Sequence, residues 1–516
     1  MLLARTLFPI ASVLLFAQSG SIPAAYDQPY RPQYHFSPRE NWTNDPNGLV
    51  YFEGEYHLFF QYNPAGDQWG HMTWGHAVSP DMLHWNQLPP AIPEENGVMI
   101  FTGSTVIDER NTSGFCANGK PCMVAIYTGY TAETKEHPSL QTQNIAYSND
   151  RGRHWTKYSN NPVLNLNMTD FRDPKVFWSK QSARWVMLVS LPNDHKIRVY
   201  GSKDLKQWSP LDDFGPAGAT AGQWECPELF ELPVEGASGE TRWVLKVGLN
   251  PGSLQGGSGE QYFIGRFDGT RFSNENPPSQ TMWTDYGKDC YCALTFNNLP
   301  RAQRAVMLGW MDNWQYAKDL PTSPWRGQMT FPRRLSLRKT SEGLRLVQAP
   351  VEQISELGQQ PGAGTSGTLA AVNHWLAASP VTKERAFEFK TEVALGTAQE
   401  VGWRILNGDG HYTVIGYDRQ AKKLFFDRTH TTKSNISADY AARTDAPLAL
   451  DKPVLRLTVL VDRDSVEVFA DDGKVTTTNL VFPPVGASGI EIYAKDGEPG
   501  QVSANLTSIR SIWSGK

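Results

Sequence analysis

A degenerate repeat constrains the fold of this chain more than any other feature of its sequence. The pattern Ser-x-Asp-x-x-x-Trp at residues 79–85 returns at 202–208, a form one residue longer spans 148–155, and a Phe form ends at Phe272. Between the copies, short runs rich in Val, Ile, Tyr, Phe and Trp alternate with clusters of Asn, Asp, Gly and Pro, and helical periodicity is nearly absent. Self-similarity at a regular period in such an all-β chain predicts a β-propeller in which each repeat forms one blade.

A second set of residues follows the same spacing and predicts the number of blades. Its members, about 61 residues apart on average, are Asp45, Gly103, Asp173, Glu225 and Asp289. This step predicts five blades between residues 26 and 350. Because the innermost strands of a propeller converge on one axis, residues that are distant in sequence are expected to meet at one end of the central funnel.

The composition changes after the fifth predicted blade. Residues 351–367 are rich in Gly and contain Pro361, which predicts a linker. From 368 to 516, alternating apolar and polar residues resume in short runs, and the segments 465–470 and 474–480 flank an Asp-Asp-Gly turn that is typical of a hairpin. The predicted fold class is therefore all-β, with a five-bladed β-propeller followed by a C-terminal β-sandwich.

The first 25 residues have the pattern of an export signal. Arg5 precedes an apolar run at residues 7–17 that is too short to span a bilayer, and small residues follow near Ala24 and Ala25. We interpret residues 1–25 as a signal peptide, with a disordered apolar tail as the alternative, and expect a secreted or periplasmic protein without a membrane partner. The net charge of −5, with no basic stripe, excludes nucleic acid as the main partner.

The five cysteines indicate one local disulfide. Cys116 and Cys122 flank a turn-rich stretch, so they can bond each other in an oxidising compartment. Cys290 and Cys292 are two residues apart on a predicted strand, where side chains point to the same side and are badly placed to bond each other. Cys226 is interpreted as a small buried hydrophobic residue rather than as a redox residue.

Three carboxylates in this chain lie beside or close to prolines. They occur in the segments Asp45-Pro46, Asp173-Pro174 and Glu225-Cys226-Pro227. Proline fixes its own backbone angle and favours extended geometry in the residue before it, which places an acid at a strand end with an aimed side chain. Cleavage of a glycosidic bond with retention requires two carboxyl groups in different protonation states. The set therefore points to a glycosidase.

The neighbours of each acid predict its protonation state. Flanking asparagines can donate hydrogen bonds that keep Asp45 ionised, which makes it the candidate nucleophile. Glu225 lies beside Trp224, in an apolar setting that is expected to raise its pKa and make it the candidate acid and then base. Arg172 is expected to keep Asp173 charged, so that this carboxylate stabilises a positively charged transition state. Taken singly, the motifs are also typical of turns and strand-end ion pairs, but their common blade spacing favours catalysis.

These segments resemble the motifs of glycoside hydrolase family 32, which comprises invertases, exo-inulinases, levanases and related β-fructosidases. The matching segments are residues 42–48, 101–104, 172–174 and 225–227 and, in the C-terminal part, 424–429 and 465–469. Thr43 and Thr102 stand where Met and Ser are usual in the family, and Cys290 and Cys292 stand where aromatic and small residues are common. None of these departures removes a carboxylate, but they leave the substrate preference open.

The resemblance implies a five-bladed propeller, a β-sandwich and a retaining mechanism that needs no cofactor, and no metal site stands out among the residues. It assigns Asp45 as the nucleophile, Asp173 as the transition-state stabiliser and Glu225 as the acid/base. It also implies a fructose pocket lined by Asn44, Gln61, Trp69, Phe101, Thr102, Arg172 and Trp314. A core role is the alternative for Trp314, and Asp289 either contacts substrate or forms a structural turn.

The sequence thus predicts a secreted retaining exo-β-fructosidase that hydrolyses terminal β-D-fructofuranosyl residues of sucrose, inulin or levan by double displacement. A transfructosylase and an endo-acting fructanase are alternatives that use the same site. A five-bladed propeller can also carry an inverting arabinan-type hydrolase. A fructan-binding lectin is the alternative from another class, and for the sandwich a packing role against the propeller is favoured over independent sugar binding.

Overall fold

The computed structural model describes residues 24–300, 303, 305–359, 362–433 and 435–514. The predicted signal peptide, residues 1–25, lies outside this part of the chain except for Ala24 and Ala25, which belong to a 3-10 helix, Ala24–Tyr26. Among the described residues, no helix has the length and apolar character needed to cross a membrane.

Five sheets follow one another along residues 41–350. The first contains β1 (Asn41–Phe52), β2 (Glu55–Tyr62), β3 (Thr73–Ser79) and β4 (Asn86–Ile92). The second contains β5 (Val98–Asp108), β6 (Cys122–Thr131), β7 (Leu140–Ser148), β8 (Thr156–Lys157) and β9 (Leu164–Met168). The third contains β10 (Arg172–Ser179), β11 (Arg184–Leu191), β12 (Lys196–Ser202) and β13 (Ser209–Phe214).

The fourth sheet contains β14 (Gln223–Pro233), β15 (Thr241–Asn250), β16 (Gly259–Phe267), β17 (Phe272–Asn274) and β18 (Met282–Trp283). The fifth contains β19 (Tyr291–Thr295), β20 (Val306–Trp310), β22 (Arg333–Thr340) and β23 (Gly343–Pro350). The short β21 (Trp325–Arg326) lies between β20 and β22 in the chain but belongs to the first sheet. Short 3-10 helices occur at Pro192–Asp194 and Ala317–Asp319.

The first strands of the five sheets form a closed ring. In sequence order, β1 contacts β5, β5 contacts β10, β10 contacts β14, β14 contacts β19, and β19 contacts β1 again. The short β21 also returns to the first sheet, where it pairs in parallel with β1. Sheets that are arranged around such a ring of innermost strands form a β-propeller, and we refer to them as blades one to five.

The sequence repeat lies at the turn between the third and fourth strands of a blade. In blade three, Ser202 Oγ donates to Asp204, and Asp204 Oδ1 accepts the backbone N–H groups of Lys206 and Gln207. The equivalent Asp81 of blade one accepts two backbone N–H groups in the same way. The repeat therefore encodes a side-chain-capped turn, because an Asp side chain can satisfy the backbone donors that the turn leaves unpaired.

Two further sheets form the C-terminal sandwich and enclose a common apolar core. One contains β24 (Ala363–Gly367), β25 (Phe387–Ala394), β30 (Val454–Val461), β31 (Ser465–Ala470), β32 (Val475–Leu480) and β34 (Val502–Ser508). The other contains β26 (Glu400–Gly408), β27 (His411–Asp418), β28 (Lys423–Asp427), β29 (Arg443–Pro447) and β33 (Ser488–Lys495). The helices are α1 (Ile354–Leu357), α2 (Leu369–Ala378) and a 3-10 turn at Val381–Lys383. The predicted all-β class, a propeller followed by a sandwich, is confirmed.

Residues 351–367 differ from the linker that their composition predicts. They contain α1 and β24, and β24 pairs with β34 along its whole length. A segment of small residues can add to the edge of a sheet because the backbone alone supplies the hydrogen bonds of the ladder. β24 is therefore part of the sandwich rather than a free connection.

Buried ion pairs join the propeller to the sandwich. Arg333 of blade five bonds Asp285, with Nη1 to Oδ2 at 2.9 Å, and also bonds Glu467 of the sandwich. Arg428 of the sandwich lies 2.6 Å from Asp289, measured from Nη1 to Oδ2. All five side chains are buried, and removing one partner of a buried pair typically costs about 3–5 kcal/mol. These contacts support the packing role of the sandwich.

Candidate active site

Each of the five innermost strands is interrupted by a bulge at the same end of the ring. The pairing register shifts between Thr43 and Pro46, Ile100 and Gly103, Arg172 and Lys175, Glu225 and Glu228, and Tyr291 and Leu294. A bulge adds an unpaired residue, bends the strand and redirects side chains, and such features occur next to active sites. The bulges turn side chains from all five blades toward one funnel.

A cavity of about 390 Å³ opens at this end of the propeller. All ten residues that the sequence predicted for the site line it: Asn44, Asp45, Gln61, Trp69, Phe101, Thr102, Arg172, Asp173, Glu225 and Trp314. A larger cavity of about 690 Å³ lies on the sandwich. We assign the site to the smaller cavity because four carboxylates from three blades line it. The volume of a cavity does not by itself indicate catalytic groups.

Asp45 lines the cavity and is 9 % exposed. Its Oδ2 accepts a hydrogen bond from Thr102 Oγ1 at 2.6 Å. Burial raises the pKa of Asp45 to about 6, and the bonds from Thr102 and Asn44 offset only part of this shift. The bond from Asn44 favours the ionised form as the sequence predicts, but the cost of desolvating the charge is larger than the gain from these donors.

Glu225 has a polar environment rather than the apolar one that its neighbours in sequence predict. Its Oε1 accepts from Arg172 Nε at 3.0 Å, and its Oε2 accepts from the Tyr291 hydroxyl. Trp224 is fully buried in the apolar core between blades three and four. Because successive side chains of a strand point to opposite faces, Trp224 and the Glu225 carboxylate do not share an environment.

The Asp173 carboxylate accepts a hydrogen bond from a backbone N–H of the next blade and not from the arginine beside it. Its Oδ2 accepts from the Cys226 N–H at 2.9 Å, and its own N–H donates to Thr128 Oγ1 at 3.0 Å. Burial raises the pKa of Asp173 and outweighs the attraction of Arg172. The Arg172 guanidinium bonds Asp170 at 2.8 Å in addition to Glu225. The charge of Arg172 thus favours the ionised form of Asp173 as predicted, but its hydrogen bonds go to Asp170 and Glu225, and the cost of burial is larger.

Aromatic side chains form the rim of the cavity. Trp69 is 45 % exposed and meets Phe101 edge-on, with ring centroids 6.0 Å apart. Phe101 in turn stacks on Tyr130 at 4.6 Å. Trp314 lines the cavity and also stacks on the buried Trp42 at 5.8 Å, so it combines the pocket and core roles that the sequence left open.

Asp289 does not line the cavity. Its carboxylate accepts from Arg428 and from the Tyr316 hydroxyl, and it is fully buried at the contact with the sandwich. Of the two roles considered for Asp289, the structural one is therefore observed.

Sequence reasoning missed two cavity residues: Tyr291, whose hydroxyl donates to Glu225, and Asp170, which bonds Arg172. Asp170 stands two positions before Arg172, and alternation along an extended chain would have placed both on one side. Tyr291 follows Asp289 by two positions. The spacing of equivalent positions in successive blades therefore led close to Tyr291 but indicated Asp289 instead.

The cysteines form two disulfides among the described residues. Cys116 bonds Cys122, as predicted, and Cys226 bonds Cys292. Cys290 is a buried free thiol. The interpretation of Cys226 as a plain hydrophobic residue is wrong, because its partner comes from the inner strand of the next blade and the sequence does not show that proximity. Asp45, Cys226 and Cys292 also cluster, but sulfurs in a disulfide are not thiolate ligands.

An all-β propeller that gathers buried carboxylates from several blades into one cavity has the architecture of a glycoside hydrolase. The sequence pattern described as Glycosyl hydrolases family 32 N-terminal domain matches residues 35–350, and that described as Glycosyl hydrolases family 32 C terminal matches residues 351–513. The chain belongs to glycosyl hydrolases family 32.

Curated relatives and solved structures are similar over nearly the whole chain. A levanase of Bacillus subtilis is 43% identical, over 98% of this chain and 74% of the relative. An extracellular exo-inulinase of Aspergillus awamori is 39% identical, over 95% of this chain and 96% of the relative.

The crystal structure of an exo-inulinase from Aspergillus awamori has a TM-score of 0.86 and 37% identity, and the match covers 95% of this chain and 100% of that one. The β-fructofuranosidase of Schwanniomyces occidentalis, solved with fructosyl-erythritol, has a TM-score of 0.82 and 33% identity, with 95% and 100% covered.

Proposed function

We propose that this protein is a secreted, retaining exo-β-fructosidase that acts on terminal β-D-fructofuranosyl residues of sucrose, inulin or levan. The observation that carries the proposal is the meeting of Asp45, Asp173 and Glu225 in one cavity, although Asp45 and Glu225 are 180 residues apart in sequence. The names of the relatives support fructose-containing substrates, and the extracellular relatives support secretion.

The proposed reaction is a double displacement. Asp45 attacks the anomeric carbon of the fructosyl unit while Glu225 protonates the oxygen of the leaving group, which gives a covalent fructosyl-enzyme. Glu225 then removes a proton from water, which attacks the same carbon and releases fructose with retained configuration. Asp173 accepts hydrogen bonds from sugar hydroxyls and stabilises the positive charge that develops on the ring.

The shape of the cavity supports attack at chain ends. Its volume of about 390 Å³ is near the low end of ligand pockets. Trp69, which is 45 % exposed, contacts Phe101, and Phe101 stacks on Tyr130, so aromatic rings narrow one side of the cavity opening. Such a pocket admits the end of a fructan more readily than its middle.

Time-resolved product analysis on sucrose, inulin and levan tests this proposal. We expect inulin and levan to release free fructose from the first time point, with no intermediate oligosaccharides, and sucrose to give equal amounts of glucose and fructose. Kestose from sucrose would identify a transfructosylase, and a ladder of oligosaccharides from inulin would identify an endo-acting enzyme. Either outcome would contradict exo hydrolysis.

The pH dependence of kcat/KM should report the raised pKa of Asp45. The nucleophile must be ionised to attack, so we expect kcat/KM to fall below about pH 6, by about tenfold per pH unit. Thr102→Val removes a hydrogen bond that favours the charged form, so it should move this acidic limb to higher pH. If the acidic limb of the kcat/KM profile lies near pH 4 and Thr102→Val does not move it, Asp45 is not the group that titrates.

A further inference from the structure

The Cys226–Cys292 disulfide lies directly under the candidate site and crosses between blades. It joins β14 of blade four to β19 of blade five, and both cysteines are at most 2 % exposed. Each cysteine belongs to a bulge and has a left-handed backbone, with φ of 48° at Cys226 and 44° at Cys292. Non-glycine residues adopt this conformation only when the surrounding structure enforces it.

All three carboxylates contact this crosslink directly or lie next to its residues. The Cys226 N–H donates to Asp173, and Cys226 Sγ lies 3.9 Å from Asp45 Oδ2. Glu225 immediately precedes Cys226 in the chain. On the other side of the crosslink, the residue before Cys292 is Tyr291, whose hydroxyl donates to Glu225.

We propose that the Cys226–Cys292 disulfide is a positioning element for the three carboxylates, so that turnover depends on its oxidised state. This inference rests on the proposed function. The crosslink holds two unfavourable backbone conformations in place, and with them the N–H that faces Asp173 and the hydroxyl that faces Glu225. Without it, both bulges can relax while the blades remain folded, and a displacement of about 1 Å is enough to cost roughly a hundredfold in rate.

The second disulfide of the chain provides a matched control. Cys116 and Cys122 lie within blade two, only six residues apart, and neither lines the cavity. Cys116 is partly exposed, whereas Cys226 and Cys292 are buried. A reductant in solution should therefore reach the Cys116–Cys122 bond first.

The first test is slow reduction of the native wild-type protein by excess dithiothreitol. Each exchange oxidises one dithiol to its cyclic disulfide and gives two protein thiols, which alkylation of separate quenched samples and peptide mass analysis locate. We expect Cys116 and Cys122 to become reactive first without loss of activity. Reaction of Cys226 and Cys292 should then parallel a fall in kcat of roughly tenfold to a hundredfold, with a smaller change in KM, and reoxidation should restore kcat.

Paired variants provide the second test. Cys226→Ser/Cys292→Ser should lower kcat to the same degree and shift the pH profile, because Asp173 loses its fixed donor. Cys116→Ser/Cys122→Ser should keep wild-type kcat and remain sensitive to dithiothreitol. Near-ultraviolet circular dichroism at the assay temperature shows whether each protein is folded.

Unchanged kcat and pH profile in folded protein that lacks the Cys226–Cys292 bond would overturn the inference. If the double variant does not fold, the reduction of wild type decides: activity lost with retained dichroism supports positioning, whereas simultaneous loss of both makes the bond merely structural. A wild-type protein inactive on all three sugars would instead overturn the proposed function.

Discussion

Replacing Asp45 by Asn should lower kcat on sucrose and inulin by roughly 10⁴-fold or more, the scale seen when a covalent nucleophile is removed. The amide keeps the shape of the carboxylate, and its oxygen can still accept the hydrogen bond from Thr102. It does not attack the anomeric carbon, so no fructosyl-enzyme forms. The remaining cavity residues are unchanged, so the variant should bind sucrose about as tightly as wild type does. Titration calorimetry gives the dissociation constant of the variant, which is compared with that of wild type measured at low conversion of sucrose.

The same chemical change at the rim provides the control for Asp45→Asn. Asp170 also lines the cavity, but its carboxylate bonds Arg172 and is not one of the three acids assigned to the reaction. Asp170→Asn should therefore reduce kcat far less than Asp45→Asn. Equal loss of binding and turnover in Asp45→Asn would contradict the nucleophile assignment, because it would mean that the carboxylate only holds the sugar.

The propeller could be predicted from the sequence because its signal is local and repeated. The turns at 79–85 and 202–208 need the same Ser and Asp side chains for the same backbone donors, so the repeat survives as a readable pattern. The spacing of Asp45, Asp173 and Glu225 follows from that repeat, since equivalent positions of successive blades meet at the ring. The sandwich was similarly predictable from its alternation and its hairpin at 465–480.

Contacts between blades could not be predicted, and they determine the electrostatics of the site. Alternation along a strand predicts the direction of a side chain, but each inner strand has a bulge where that rule fails. Arg172 is therefore adjacent in sequence to Asp173 and yet bonds Glu225. The Cys226–Cys292 bond and the Tyr291 hydroxyl likewise reach the acids from the neighbouring blade.

The raised pKa of Asp45 also could not be predicted from the sequence. Neighbouring asparagines are visible in the chain, but burial depends on five blades closing around one carboxylate. Desolvation is then larger than the effect of any single donor. The role of Asp289 could not be predicted for a related reason, because its partner Arg428 comes from the sandwich that packs against the propeller.

Replacing Glu225 by Ala should impair both steps of the reaction, and the two effects can be separated by choice of substrate. On sucrose, whose leaving group must be protonated, we expect kcat/KM to fall by about 10²–10⁴-fold, the usual contribution of a general acid. A fructosyl substrate with an activated leaving group, such as fluoride, needs no proton and should still form the fructosyl-enzyme. Hydrolysis of that intermediate should then be slow, because water lacks its base.

Azide provides the decisive measurement, since it is an anionic nucleophile that needs no general base. With Glu225→Ala and the activated substrate, added azide should raise turnover and give β-fructosyl azide, which nuclear magnetic resonance identifies. Tyr291→Phe is the control, because it removes only the hydroxyl that bonds Glu225 and should respond little to azide. An α-fructosyl azide would require a single inversion and would contradict the double displacement, and no azide product at all would contradict Glu225 as the acid/base.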